Sequence, residues 1–171
     1  MNIQDVILTR RAIRKYKTDA VSEEQIENML KAGMYAPSAN NKQPWCFIVV
    51  DDRAMLNKIM GVHPYSQMLK EAPLAIVVCA DELIEPMTSY WIQDCSAAVQ
   101  NILLSAHGMG LGTVWLGVNP REDRMRNVSE LFELPSHVQP LAIIAVGHPD
   151  EVKEMPERFI KSRIHRNKWG K

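Results

Sequence analysis

A chain of 171 residues is the length of one domain, and a core of that size buries roughly 70% of the unfolded surface without disulfide or metal staples. Hydrophobic residues at 46% and charged residues at 23% match a folded globular protein and argue against disorder. Lys+Arg and Asp+Glu are 20 each, so the net charge is zero, which excludes a protein that works by bulk attraction to nucleic acid or an anionic membrane.

Ile3, Val6 and Ile7 follow helical spacing up to an arginine cluster that begins at Arg10. Ser22-Glu23-Glu24-Gln25 reads as a capping box. The helix it opens carries Ile26, Met29, Leu30 and Met34 on its apolar face and stops before Ala36-Pro37. Trp45–Val50 is a short run of β-formers and predicts a strand. Asp51 or Asp52 caps the next helix, with Met55, Leu56, Ile59 and Met60 inward. Leu74–Ala80 reads as a second, buried strand. A long helix follows from about Thr88 to His107, with Ile92, Cys95, Val99, Ile102, Leu103 and Ala106 on one face and small Ser96-Ala97-Ala98 at its middle. Gly108 and Gly110 suit its C-terminal cap. Thr113–Leu116 and Leu141–Gly147 complete four strands, and the helix between them carries Met125, Val128, Leu131 and Phe132. With no repeat and no linker, residues 1–171 predict one α/β or α+β domain whose sheet lies between helices.

Several functions find no support. Cys46, Cys79 and Cys95 form no CxxC pair and read as buried free thiols. Asp5, Arg10 and Arg11 interrupt any apolar run at the start, so no signal peptide is read, and no apolar stretch approaches a membrane span. A soluble, cytoplasmic protein is expected, with neither membrane nor nucleic acid as partner. Gly108-Met109-Gly110-Leu111-Gly112 is a GxGxG, but it follows a helix and precedes a strand, the reverse of a dinucleotide-binding turn. The five histidines have no metal-ligand spacing, and no GxSxG elbow exists. Neither a metal site nor a catalytic side chain is therefore assigned.

Charge is unevenly spread. Arg10, Arg11, Arg14, Lys15 and Lys17 fall in an acid-free run, and so do Arg158, Lys161, Arg163, Arg166, Lys168 and Lys171. Each run reads either as a solvated tail or as half of a grip on one compact anion such as a phosphate, whose oxygens match guanidinium forks. Arginine anchors without an evident acid, base or nucleophile suggest a bound cofactor that carries the chemistry.

Four motifs in order resemble those of the FMN-dependent nitroreductase family, over almost the whole chain. They are Arg10-Arg11-Ala12-Ile13-Arg14-Lys15-Tyr16, Ala36-Pro37-Ser38-Ala39-Asn40-Asn41-Lys42-Gln43-Pro44-Trp45, Gly110-Leu111-Gly112-Thr113-Val114-Trp115-Leu116-Gly117, and Lys161-Ser162-Arg163 followed by His165 and Trp169. The resemblance implies an α+β three-layer fold with a mixed or antiparallel sheet, and a homodimer that exchanges its C-terminal arms and holds FMN at the interface. It further implies that Arg10, Lys161 and Arg163 hold the FMN phosphate, and that Arg11 and the main chain at Ala12 meet the ribityl chain. Arg14 would lie near N1 and O2 of the ring. Trp115, Leu116 and Gly117 would run along the ring edge, with a backbone N–H toward N5. Pro37, Ser38 and Ala39 would come from the partner subunit.

The implied activity is a ping-pong transfer of hydride from NAD(P)H through FMN to an electron-poor small molecule such as a nitroaromatic or quinone. The alternative is a non-catalytic flavin- or nucleotide-binding protein, a sensor or store, using the same arginines. Asn41 and Gln43 read as ties within their own loop, Pro44-Trp45 as subunit-interface packing, and Trp115 as either core or ring wall. Ala12 stands where many family members carry serine, and His63–Gln67 matches no family contact.

Overall fold

Ser22 caps its helix as the local sequence requires. Its Oγ accepts the Gln25 N–H at 3.3 Å, and the Gln25 side chain accepts the Ser22 N–H at 3.1 Å. The computed structural model describes residues 1–84 and 90–170. The helices are α1 (Ile3–Thr9), α2 (Glu23–Met34), α3 (Arg53–Val62), α4 (Tyr90–Gly108) and α5 (Glu122–Leu131). The strands are β1 (Trp45–Val50), β2 (Leu74–Asp81), β3 (Gly112–Gly117) and β4 (Val138–Gly147), and short 3₁₀ turns occupy Ala39–Asn41, Gln67–Lys70 and Lys161–Arg163. Thr88, the expected start of the long helix, lies outside the described residues.

Of the two aspartates before α3, Asp52 is the cap, its Oδ1 accepting the Met55 N–H at 2.8 Å. Helix α4 ends where Gly110 turns to φ +81°, letting the Leu111 N–H reach back to the Ala106 carbonyl at 2.9 Å. Two local expectations are corrected. Met34 is exposed, because the last turn of α2 meets α4 through Gly33, packed against Ile102. Strand β4 begins at Val138 rather than Leu141, because Pro140 pairs with Cys79 across a register shift between Val78 and Cys79, and an irregular ladder tolerates a proline.

All neighbouring strands are antiparallel, in the order β1-β2-β4-β3. Side chains alternate between two cores. On one face Ile76, Val78 and Ile144 meet α2 and α4 through Ile26, Met29, Val99 and Ile102. On the other, Val77, Ile143 and Val114 meet α3 and α5 through Leu56, Ile59 and Val128, with Ile13 and Tyr16 closing that layer. This is the three-layer α+β fold expected. Cys79 and Cys95 are buried, with Cys95 Sγ 3.6 Å from the Cys79 carbonyl, whereas Cys46 is half-buried. Pro44 and Trp45 are buried within the chain itself, Trp45 in the α2/α4 core, which corrects their expected place at a subunit interface: Trp45 pairs with small Ala80 on β2 and fills that space.

Two extended segments frame one edge of the sheet. After α1 the chain lies along β3, with Ala12 bridging Thr113 and the Ile13 N–H donating to the Thr113 carbonyl at 2.9 Å. Gly112 makes that approach possible, since a Cβ there would stand 2.8 Å from Ile13 Cγ2. Beyond Gly147 the chain becomes an exposed arm, with Val152 99%, Phe159 72% and Trp169 89% exposed. Its first part is tied down: Glu151 accepts the Arg14 and Lys15 N–H groups, and Lys153 Nζ donates to the Ala12 carbonyl at 2.7 Å. No helix among the described residues is long and apolar enough to cross a membrane.

Candidate functional site

The outer edge of β3 organises the site. In a strand the N–H and C=O of one residue point the same way, and successive residues alternate. The Thr113 carbonyl points outward to Ile13, and the Gly117 carbonyl points outward to His63 Nε2 at 3.0 Å and Arg124 Nη1 at 2.9 Å. The N–H groups of Trp115 and Gly117 therefore face off the sheet on that same open edge. Val114 and Leu116 are buried against α3 and α5, which turns the Trp115 ring to the opposite face, where it is 37% exposed. Trp115 is thus a rim residue rather than a filled core position.

The arginines gather at the start of this edge. Arg10 is the C-terminal cap of α1, and burial with Arg158 and Arg11 close by pushes its guanidinium below the usual range. Among the described residues none of these three arginines forms an ion pair. They line one cavity of about 450 Å³, together with Leu8, Phe159 and Glu157. Arg11 is anchored by bonds from Nη1 to the Leu8 carbonyl (2.9 Å) and the Arg10 carbonyl (2.6 Å), and from Nε to the Glu154 carbonyl (3.2 Å). Its Nη2 is buried with no partner among the described residues. Like charges crowded around one cavity are costly, and an anion with several acceptor oxygens offsets that repulsion. His107 on α4 reports the same field: burial, then Arg10 and Arg11, hold its pKa below the ordinary imidazole value. Its Nε2 lies 2.8 Å from Thr9 Oγ1.

The other sequence-derived positions are spread out. Ala12 sits at the bridge to Thr113, its carbonyl taken by Lys153, and Arg14 is exposed beyond it. Ser38 and Ala39 belong to a loop tied to α4, with the Ala39 N–H donating to Asp94 Oδ1 at 3.0 Å, and Pro37 is exposed beside them. Asn41 and Gln43 do tie that loop to itself: Gln43 Nε2 donates to Asn41 Oδ1 at 2.9 Å and the Gln43 N–H to Ser38 Oγ at 3.0 Å. Asn40, Asn41 and Gln43 all adopt positive φ (49°, 55° and 52°), a strained turn that those bonds maintain. Asp94 lies about 20 Å along the α4 axis from His107, so the loop and the arginines occupy different parts of one chain. Lys161 and Arg163 are exposed on the arm, without a hydrogen bond or ion pair to Arg10 or Arg11 among the described residues.

Four residues were not assigned from sequence. Arg158 opens the C-terminal basic run, so its charge was visible although its place was not. His63 and Tyr65 fall in the stretch that matched no family contact, and nothing in the sequence pointed to Arg124. No cluster of metal-ligating side chains is present among the described residues.

Comparison with known proteins is consistent with this geometry. The sequence model of the nitroreductase family matches residues 7–62 and 61–148. A protein of Methanothermobacter thermautotrophicus, provisionally named an NADH dehydrogenase/NAD(P)H nitroreductase, is 50% identical over 99% of this chain and 88% of its own. An FMN reductase [NAD(P)H] of Bacillus subtilis is 30% identical over 91% of this chain and 69% of its own. The structure of an FMN-dependent nitroreductase of Clostridium difficile superposes with a TM-score of 0.90 at 34% identity, covering 97% of this chain and 99% of that one.

Proposed function

The chain belongs to the nitroreductase family and is an oxidoreductase, and from that premise we propose that it binds FMN along the β3 edge and passes electrons from NAD(P)H to an electron-poor small molecule. The observation that carries this reading is the crowding of Arg10, Arg11 and Arg158 without ion pairs at one end of a sheet edge. About 13 Å further along that strand, near Gly117, peptide N–H groups stand open. The residues fit a long ligand with a phosphate at one end and a hydrogen-bonding ring at the other.

When bound, FMN supplies a ring that takes up hydride and returns it. The protein's own residues bind and orient. Arg10 and Arg158, with Lys161 and Arg163 of the arm, hold the phosphate by charge-assisted bonds, and Arg11 and the main chain at Ala12 border the ribityl chain. Arg14 provides a cation that offsets the negative charge of a reduced ring, an effect on the order of a few kcal/mol in a partly shielded site. Trp115, Leu116 and Gly117 line the ring edge and present N–H donors to it. No side chain is needed as general acid or base, because solvent supplies protons.

The site is completed by a second copy. Pro37, Ser38 and Ala39 serve the partner's cofactor rather than their own, which the separation along α4 supports. The apolar arm, exposed at Val152, Phe159 and Trp169, is the segment exchanged in the homodimer. Turnover is ping-pong: NAD(P)H enters and leaves before a nitroaromatic or quinone uses the same face.

The test is the visible spectrum of the purified protein with FMN, before and after anaerobic NADH or NADPH. A flavin spectrum that bleaches is the expected result. Flavin that binds and stays oxidised would favour a binding protein, and failure to take up FMN would remove the reading.

A further inference from the structure

We propose that His63, Tyr65 and Arg124 form a positioning set for the end of β3, with Arg124 its principal member: they hold the carbonyl of Gly117, which anchors the residue whose own N–H faces the flavin ring, and they stand a fixed cation beside it. This rests on the reading of the β3 edge as the FMN site.

Gly117 ends β3 opposite Ala142 of β4, and the Val118 N–H of the peptide that carries its carbonyl donates to the Leu141 carbonyl at 3.1 Å on the sheet side. A Cβ built on Gly117 would meet nothing within 4 Å, so packing does not define its orientation. Its carbonyl is held by Arg124 Nη1 at 2.9 Å from α5 and by His63 Nε2 at 3.0 Å from the end of α3. The Tyr65 N–H donates to His63 Nδ1 at 3.3 Å, which leaves the ring proton on Nε2 and makes the imidazole a donor to Gly117. Burial lowers the His63 pKa from the ordinary imidazole value, the Gly117 bond opposes that, and Arg124 adds to the lowering.

Arg124 is steadied without being neutralised. Its guanidinium carbon lies 5.1 Å from the Tyr65 ring centroid, and among the described residues it forms no ion pair. Tyr65 is 67% exposed and its ring meets His63 edge-on with centroids 6.3 Å apart, so it braces both donors from the solvent side. The set thus has two separable effects: the two bonds anchor the end of β3 at Gly117, and the uncancelled charge favours a reduced, more negative ring.

Arg124→Met and Arg124→Lys separate these effects from a role limited to tying α5 to β3. Three quantities are read: FMN dissociation by fluorescence titration, the flavin midpoint potential by anaerobic dye equilibration, and the Gly117 amide resonance of the apoprotein by ¹⁵N NMR. Arg124→Met is expected to weaken FMN binding about tenfold, the size of one charge-assisted bond, to lower the potential, and to move the Gly117 amide even without cofactor. Arg124→Lys, which keeps the charge and a donor, is expected to restore the potential.

A folded Arg124→Met protein with an unshifted potential and an unmoved Gly117 amide overturns the proposal while leaving FMN binding intact. A parent protein that takes up no FMN removes the functional reading and the proposal together. Should Arg124→Met fail to fold, Tyr65→Leu strips only an exposed brace. It is expected to weaken FMN binding about threefold and to move the potential in the same direction. Tyr65→Leu with parental affinity and potential would then overturn the proposal.

Discussion

Strands β2 and β4 and the chain beyond Gly147 are built on opposite principles. Leu74 through Ala80 and Leu141 through Val146 are buried within the chain's own fold, paired on both edges and covered on both faces. Their stability is therefore intrinsic to one copy, at roughly 1.5–3 kcal/mol for each large apolar side chain taken out of water. The arm carries comparable apolar groups, Val152, Phe159 and Trp169, and leaves them in solvent. The same side chains thus do different work in the two places: in the sheet they stabilise the fold, and on the arm they are available only to something outside it.

The sharpest way to break that contrast is to truncate one residue in each region. Ile144→Ala, fully buried between β2 and β3, should cost about 2–5 kcal/mol in urea unfolding. Phe159→Ala should change unfolding of the single chain by under about 0.5 kcal/mol and weaken self-association in sedimentation. An arm variant that destabilises the chain as much as the sheet variant would mean that the arm folds back on its own copy.

A second comparison sets Arg10, fixed at the end of α1, against Arg163 on the arm. Arg10→Ala should weaken FMN binding by tenfold or more in a fluorescence titration, the size of a lost charge-assisted bond. Arg163→Ala should do the same if the arm closes on the phosphate. Parental affinity in the Arg163 variant would leave the clamp to Arg10 and Arg158.

The smallest expected effect is on pH dependence. His63 and His107 are both held below the ordinary imidazole pKa, chiefly by burial, so the unfolded chain binds their protons more readily than the folded one. Their contribution to stability is therefore complete above about pH 6.5 and is lost as pH falls from there through the folded-state values. Urea midpoints at pH 8 and pH 5.5 should show that loss, and His63→Gln should shrink it. A parent protein equally stable at both would show that neither ring is kept neutral by the fold.

Much of the local architecture was legible in the sequence because its causes are local. The reciprocal cap at Ser22 and Gln25, the aspartate cap before α3, the full span of Trp45–Val50 and the stop at Gly110 each depend on a few adjacent residues. The motif order around Arg10, Pro37 and Gly117 was likewise enough to suggest the family. The failures share one cause. Met34, Pro44 and Trp45 were misplaced because burial depends on which partner covers a residue, and helical spacing alone does not identify that partner.

The site itself divides along the same line. That both ends of the chain carry acid-free basic runs is a property of the sequence, whatever the fold. Only the tertiary structure brought Arg158 against Arg10, laid Ile13 against Thr113, and turned His63 and Arg124 onto the one carbonyl of Gly117. Helix starts, stops and strand propensity come from torsions and hydrogen bonds within a few residues, so the sequence by itself determines them. Strand order, the open edge of β3 and the charges gathered beside it arise from pairings between residues distant in the chain, and those are decided only when the sheet closes.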